Sequence, residues 1–390
     1  MEESLYAVWL TVKCGISRAK ALKLLAQFHT FSEIYALDGN TIATCKFLSD
    51  AEMLRLAQKD LSDVQRYCSL LEKHHVTLLP ITSPDYPSLL QTIDSPPVLL
   101  YCRGKFIRLD EHFCVAMVGT RRASEYGLAT AKRLAQEIAS EGAIIVSGMA
   151  DGIDTASHQG ALAAGKPTVA ILGCGVNLVY PSTNARLMQR IMETGMVISE
   201  YPLNAEPEKW HFPERNRIIS GLSTALVVVE ASIRSGSLIT SRLANEQGRD
   251  VYAVPGNINS VKSAGPNHLI KDGAGVVTCA EDVLEPYRTR FVGKFSQDEL
   301  PEVAEKIAIE MPAQPTPDAV TSFPARTKAD TAQSNPDQRI LAALGETPMH
   351  LDEIAEQTGL DPGVLNSRLL MMELSGSIVS YPGNRYTRTS

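Results

Sequence analysis

Phe113-Cys114-Val115-Ala116-Met117-Val118, followed at once by Gly119-Thr120-Arg121-Arg122, is the stretch that decides the fold. A short, uninterrupted apolar run suits a strand covered on both faces. The run breaks into a glycine turn that carries two arginines. The pattern recurs downstream in Ser147-Gly148-Met149-Ala150-Asp151-Gly152-Ile153-Asp154, Ser235-Gly236-Ser237 and Val254-Pro255-Gly256-Asn257. Phe212-Pro213-Glu214-Arg215-Asn216-Arg217 reads as a further loop of the same kind. Most of these segments follow a β-branched run, where an open parallel sheet gathers its ligand-binding loops. Glycine lets backbone N–H groups approach an anion, and arginine adds a fixed positive fork. The set reads as a phosphate-binding edge.

Working outward, strands are expected at Phe113–Val118, Ala143–Ser147, Thr168–Leu172, Met196–Ser199, Ala225–Val229 and Val251–Val254. Helices are expected at Tyr126–Ser140, Asp154–Ala164, Ala185–Glu193 and Leu238–Gln247. This alternation predicts an α/β fold, an extended Rossmann-like, doubly wound and mostly parallel sheet spanning 76–290. Within it, 76–112 is a connector with edge-strand character, because Pro80, Pro84, Pro87, Pro96 and Pro97 forbid a long helix. Residues 1–75 carry a helical stripe (Ala21, Leu22, Leu24, Leu25, Phe28) around a Gly15-Ile16-Ser17 turn. That pattern suits a helical domain like a helix-hairpin-helix or sterile-alpha-motif bundle, or a plain packing module. Lys13, Arg18, Lys20 and Lys23 near the turn are its only support for a phosphate contact. Residues 291–336 are proline-punctuated and aperiodic, a flexible linker. Residues 337–390 hold three helical stripes and two β runs around Pro382-Gly383-Asn384, a winged-helix domain.

The bulk numbers narrow the function. A chain of 390 residues exceeds a single core. No apolar run reaches the ~18 residues a membrane span needs, so no membrane association is expected. Glu2 and Glu3 in place of a basic start argue against a signal peptide. Seven scattered cysteines without a Cys-x-x-Cys pair point to reduced thiols in the cytoplasm and to no metal site. Net charge is −7 and pI about 5.7, so any nucleic-acid binding must use a local patch.

The motifs exclude several chemistries. Gly119 to Gly127 is not GxGxxG, and no acidic residue closes the second strand to hold a ribose, so no dinucleotide cofactor is expected. There is no P-loop, and no GxSxG elbow to support a triad of Ser147, His158 and Asp151 or Asp154. His158 is expected to make a hydrogen bond to a loop or helix end, Asp154 to act as an N-cap, and Asp151 to fix the glycine loop. Arg121, Arg122, Arg215, Arg217 and Arg234 would repel one another at one sheet edge unless Glu214 and Glu230 pair with some, or an anion does. Tyr180, Trp210, His211 and Phe212 are placed to stack on bases. An arginine rim with interleaved aromatics favours single-stranded nucleic acid over a small nucleotide. The 337–390 unit has four arginines and no lysine against seven acidic residues, a net of −3, so its third helix, with Arg368 as sole cation, is a poor major-groove reader.

Taken together, Val118-Gly119-Thr120-Arg121, the Ser147–Asp154 loop with His158 and Gly160, and Leu172-Gly173-Cys174-Gly175 resemble the DNA-processing protein A (DprA/Smf) family. So do Tyr180-Pro181, Ser199-Glu200, Phe212–Gly221, Ser235–Thr240, Val254-Pro255-Gly256 and Asn267-His268-Leu269-Ile270. The resemblance runs densely from about 75 to 285. It implies sequence-independent binding of single-stranded DNA and protection of incoming strands. It further implies loading of the RecA recombinase in natural transformation, and a homodimer through the Rossmann-like domain, with dimer and RecA surfaces near 245–285. It implies no catalytic residue, no enzyme activity, no cofactor and no metal. The candidate DNA-binding residues are Gly119, Thr120, Arg121, Arg122, Gly148, Gly152, Arg186, Arg215, Asn216, Arg217, Ser235, Gly236 and Ser237. Arg186 enters because Ser182 and Thr183 stand after Tyr180-Pro181, where relatives often carry a basic residue. The alternative is a phosphoribohydrolase-like enzyme or a nucleotide sensor on the same fold. Against the enzyme, Glu230 to Ser237 lacks the PGGxGTxxE pattern.

Overall fold

The computed structural model describes residues 2–289, 336–345, 349–360, 365, 368–369, 372, 377–381 and 385–388. It divides into two compact units, Met1–Ala304 and Glu305–Ser390. Apart from Pro336, the 291–336 linker lies outside the described residues, as does the Pro382-Gly383-Asn384 turn.

The first unit is built on a nine-stranded sheet. Its strands are β1 Val76–Pro80, β2 Leu99–Gly104, β3 Cys114–Val118, β4 Ile144–Ser147, β5 Thr168–Ile171, β6 Met196–Ser199, β7 Ala225–Val228, β8 Asp250–Ala253 and β9 Gly275–Val276. The order is β1-β2-β6-β5-β4-β3-β7-β8-β9. From β6 to β9 every pairing is parallel, while β1 and β2 add an antiparallel edge. The proline-rich connector thus supplies the two edge strands, one more than Val98–Tyr101 alone suggests.

The alternation of side chains along β3 explains the double winding. Phe113, Val115 and Met117 join one hydrophobic cluster with Leu134 and Ile138 of the helix Glu125–Ser140 and Ile153 of the helix Ile153–Ala163. Cys114, Ala116 and Val118 join another with Ile218 and Ile219 of the helix His211–Gly221. A strand apolar at every position needs a helical layer on each side, and it has both.

The N-terminal helices share that second cluster through Trp9, Leu10, Leu24 and Phe31. Their cations turn inward. Lys13 pairs with Asp60 at 3.1 Å and Lys20 with Glu52 at 2.6 Å. Lys23 lies over the Phe47 ring. Arg18 reaches across to Glu200 at 3.2 Å and Glu214 at 2.8 Å. Burial opposes the Arg18 charge, yet the two carboxylates lift its pKa above the ordinary arginine value. Packing therefore accounts for these residues better than phosphate contact does.

In the second unit, the helices Pro336–Ala343 and Leu351–Thr358 accompany a three-stranded sheet of β10 Met349–His350, β12 Arg385–Arg388 and β11 Ile378–Tyr381, in that order. Leu365, Leu369 and Met372 keep helical spacing and join Ile340, Ile354 and Ile378 in its core. This is the winged-helix arrangement.

Replacing Arg18 with alanine strips a charged partner from two half-buried carboxylates. The expected loss is about 1–3 kcal/mol of unfolding free energy, read from the urea midpoint; an unchanged midpoint would contradict a stabilising role for these ion pairs.

Candidate nucleic-acid interface

The strand order reverses between β3 and β7, because the chain winds from β3 to β6 on one side and resumes with β7 on the other. Loops leaving neighbouring strands diverge at such a point and open a crevice. Here the two loops are pinned together at their base. Thr120 N donates to Glu230 O at 2.7 Å, and Val229 N to Val118 O at 3.2 Å. A Cβ on Gly119 would meet Ile153 Cγ1 at 2.5 Å and Glu230 O at 2.8 Å, so only glycine fits. The buried Glu230 carboxylate accepts from Ser124 N at 2.8 Å and from the Ser124 hydroxyl. It braces Ser124, the N-cap of the helix Glu125–Ser140, and forms no ion pair with an arginine among the described residues, which corrects one pairing considered from sequence. Glu214, the other carboxylate considered, goes to Arg18.

Arg121 makes no ion pair among the described residues and is exposed. Its guanidinium lies 5.1 Å from the Phe212 ring centroid. Tyr180 tilts against Phe212 at 5.3 Å between centroids. Such cation–π geometry pre-aims the charge without neutralising it. Trp210 is also exposed. His211 is not available for stacking on bases: it is buried, stacked at 3.8 Å on Tyr201, with Nδ1 2.9 Å from Gly173 O.

Phe212–Arg217 is not a loop. It opens the helix His211–Gly221, with Pro213 in its first turn, a position where proline's missing N–H costs nothing. Helical residues two apart point about 200° apart, and this separates the two arginines. Arg215 runs under the glycine loop and donates to Ile171 O. Burial pulls its pKa down to about 10, with Asp154 opposing. Arg217 faces the other way, 8 % exposed, and pairs with Glu200 at 2.6 Å. Arg217, read from the sequence as part of the same arginine edge as Arg121, is instead tied to a carboxylate and does not join it. Asn216, between them, does line the cleft.

The glycine loop also differs from expectation. Gly152, at φ +80°, stands at the N-cap of the helix Ile153–Ala163. Asp154 sits inside the first turn, and its carboxylate accepts from Ala150 N at 3.3 Å. Burial pushes its pKa up to about 6, against Arg215 and the loop amides. Asp151 accepts from Thr183 Oγ1 at 3.0 Å. His158 hydrogen-bonds through Nδ1 with Thr168 Oγ1 at 2.7 Å, on a strand rather than a loop, and burial lowers its pKa to about 3. The glycines serve close packing. A Cβ on Gly148 would lie 2.1 Å from Arg215 Nη1, and one on Gly152 2.4 Å from Thr120 O.

The resulting cleft has a volume of about 530 Å³. Of the residues singled out from the sequence, Gly119, Arg121, Arg215, Asn216, Ser235, Gly236 and Ser237 line it. Gly148 lines a side cavity of about 40 Å³ that shares Arg121, Tyr180 and Phe212. Gly236 opens the helix Gly236–Glu246, and a Cβ there would meet nothing within 4 Å, so that helix N-terminus is accessible to an anion. Thr120 belongs to the frame: its hydroxyl accepts from Arg122 N at 3.3 Å. Arg122 and Gly152 face a separate groove. Arg186, exposed on the helix Ala185–Thr194, is not among the cleft-lining residues. Lys209 is, and the sequence reading missed it. A lone cation directly before Trp210-His211-Phe212 was the available signal.

The family described as DNA recombination-mediator protein A matches residues 77–288, more than half of the chain. The chain belongs to this family. The DprA winged helix domain matches 324–384. Protein Smf of Escherichia coli is 37% identical over 335 residues, covering 85% of this chain and 83% of that protein. DNA processing protein DprA of Bacillus subtilis is 39% identical over 288 residues, covering 73% and 97%. Among solved structures, DprA from Streptococcus pneumoniae matches at TM-score 0.65 and 37% identity, covering 72% of this chain and 97% of that one. Helicobacter pylori DNA processing protein A, described for its single-stranded DNA binding mode, matches at TM-score 0.50 and 30% identity over 55% of this chain and 96% of its own.

Gly152→Ala forces a side chain into a left-handed backbone position and against the Thr120 carbonyl. The variant should lose about 1–3 kcal/mol of stability, seen as a lowered thermal midpoint; a midpoint equal to the parent protein's would refute the packing role.

Proposed function

We propose that the cleft at the β3–β7 switch point grips single-stranded DNA without reading its sequence. The observation that carries this is Arg121: unpaired, exposed and held over Phe212 at the mouth of a cleft that also receives Lys209 and the Gly236 helix N-terminus. Phosphates suit the two cations and the exposed glycine that opens the helix Gly236–Glu246, while Tyr180 and Trp210 offer faces to unstacked bases. The DNA-processing relatives and the H. pylori single-stranded DNA work support the same reading. With them comes a role in natural transformation: the protein, in the cytoplasm, shields incoming strands and hands them to RecA. It acts as a homodimer of the Rossmann-like domain, with both protein surfaces near 245–285.

The environment of Asp154 in the cleft wall supports a binding rather than a catalytic role. Asp154 is engaged by the Ala150 amide and set against Arg215, which makes it a strut for the loop.

Arg121→Ala should weaken oligo-dT binding by about 10- to 100-fold and flatten the dependence of log affinity on log salt by about 0.7, one phosphate's worth on a single strand. A mobility-shift series in rising salt measures both, and a thermal melt confirms the fold. Oligo-dT should outcompete duplex DNA and AMP; preference for AMP would favour the nucleotide sensor.

Deleting residues 337–390 should leave oligo-dT affinity within about twofold, because a unit of net charge −3 adds little phosphate attraction. A tenfold or greater loss would place part of the interface on the wing.

A further inference from the structure

On the other side of the Gly119–Arg122 turn lies a second groove. It opens between the first turns of the helices Glu125–Ser140 and Ile153–Ala163 and has a volume of about 470 Å³. Three cations line it, Arg121, Arg122 and Lys132, and no carboxylate does. In a protein of net charge −7 this is a local excess. Arg121 lines both the groove and the main cleft, so the two meet at one guanidinium.

We propose that this groove takes the continuation of the same DNA strand. The strand leaves the main cleft over Arg121, and its next phosphates fall to Arg122 and Lys132. The proposal rests on the single-stranded DNA reading of the main cleft.

Two features support a continuing strand over a separate small ligand. The groove is an open trough joined to the cleft, with no enclosed cell for a base. Its wall includes Leu128, a 39 % exposed leucine in a first helical turn, which offers an apolar surface to a sugar or a base. Deeper in, the trough closes. A Cβ on Gly160 would stand 2.2 Å from Lys132 O, so the helices touch there and a strand has to run across them rather than between them.

The test is an oligo-dT ladder from about 4 to about 20 nucleotides, titrated against the full chain, Lys132→Glu, Arg122→Ala/Lys132→Ala and Arg121→Ala. These substitutions fall on exposed side chains, and thermal melts control for folding. For Lys132→Glu, the shortest oligomers should bind like the parent protein, while longer ones lose the affinity gained with length. For the double variant, the salt slope for long oligomers should fall by about 1.4, two single-strand phosphates. If Arg121→Ala abolishes binding but the groove variants keep the parent's length dependence and slope, the groove is overturned and the main cleft stands. If Arg121→Ala binds normally, the cleft reading fails and takes the groove with it. If AMP or pyrophosphate protects the groove and length dependence is unaltered by Lys132→Glu, the groove is a small-anion site and the proposal is wrong.

Discussion

The carboxylate of Glu230 is spent on the Ser124 amide and hydroxyl, and the character of the cleft follows from that commitment. Glu230 stands directly beyond β7, beside the turn that leaves β3, where it could have neutralised Arg121 or Arg122. Instead it ties down the start of the helix Glu125–Ser140 and, through its carbonyl, the Thr120 amide. The loop gains rigidity and its arginines keep their charge. A positive rim therefore survives in a protein of net charge −7, because screening confines each charge's influence to about 10 Å.

Three further carboxylates near the cleft are also engaged inward. Glu200 takes Arg217 and Arg18, and Glu214 takes Arg18. That network joins the N-terminal helices to the sheet edge and removes two arginines from solvent. Asp154 holds the glycine loop against Arg215, whose buried guanidinium in turn requires Gly148. Of the five arginines, Arg215 and Arg217 are buried and structural, while Arg121, Arg122 and Arg234 are exposed, and only exposed arginines can meet a strand.

Much of the architecture was legible in the chain. Six of the seven strands from β6 to β9 announced themselves as apolar runs, three of them (β3, β4 and β5) running into glycine, since a strand buried on both faces has no polar side to show; the two-residue β9 was too short to leave such a run. The helix His211–Gly221 was not legible. Proline, two arginines and an asparagine within six residues look like a loop, and the apolar stripe that marks a helix is confined to Ile218 and Ile219. Lys209 was not legible for a related reason: its place directly before Trp210-His211-Phe212 was the one local hint, and only the packing of that segment puts it in the cleft.

What the sequence by itself determined is the alternation of strand and helix, the glycine turns at the carboxyl ends of the strands, and the family these motifs mark. Which arginines remain free was decided only by the tertiary structure. Arg217 meets Glu200 across 17 residues and Arg18 meets it across 182, distances along the chain that carry no signal. Pairing between charges depends on which strand ends the sheet order brings together, and on the side of a helix each residue faces, and both are set by packing.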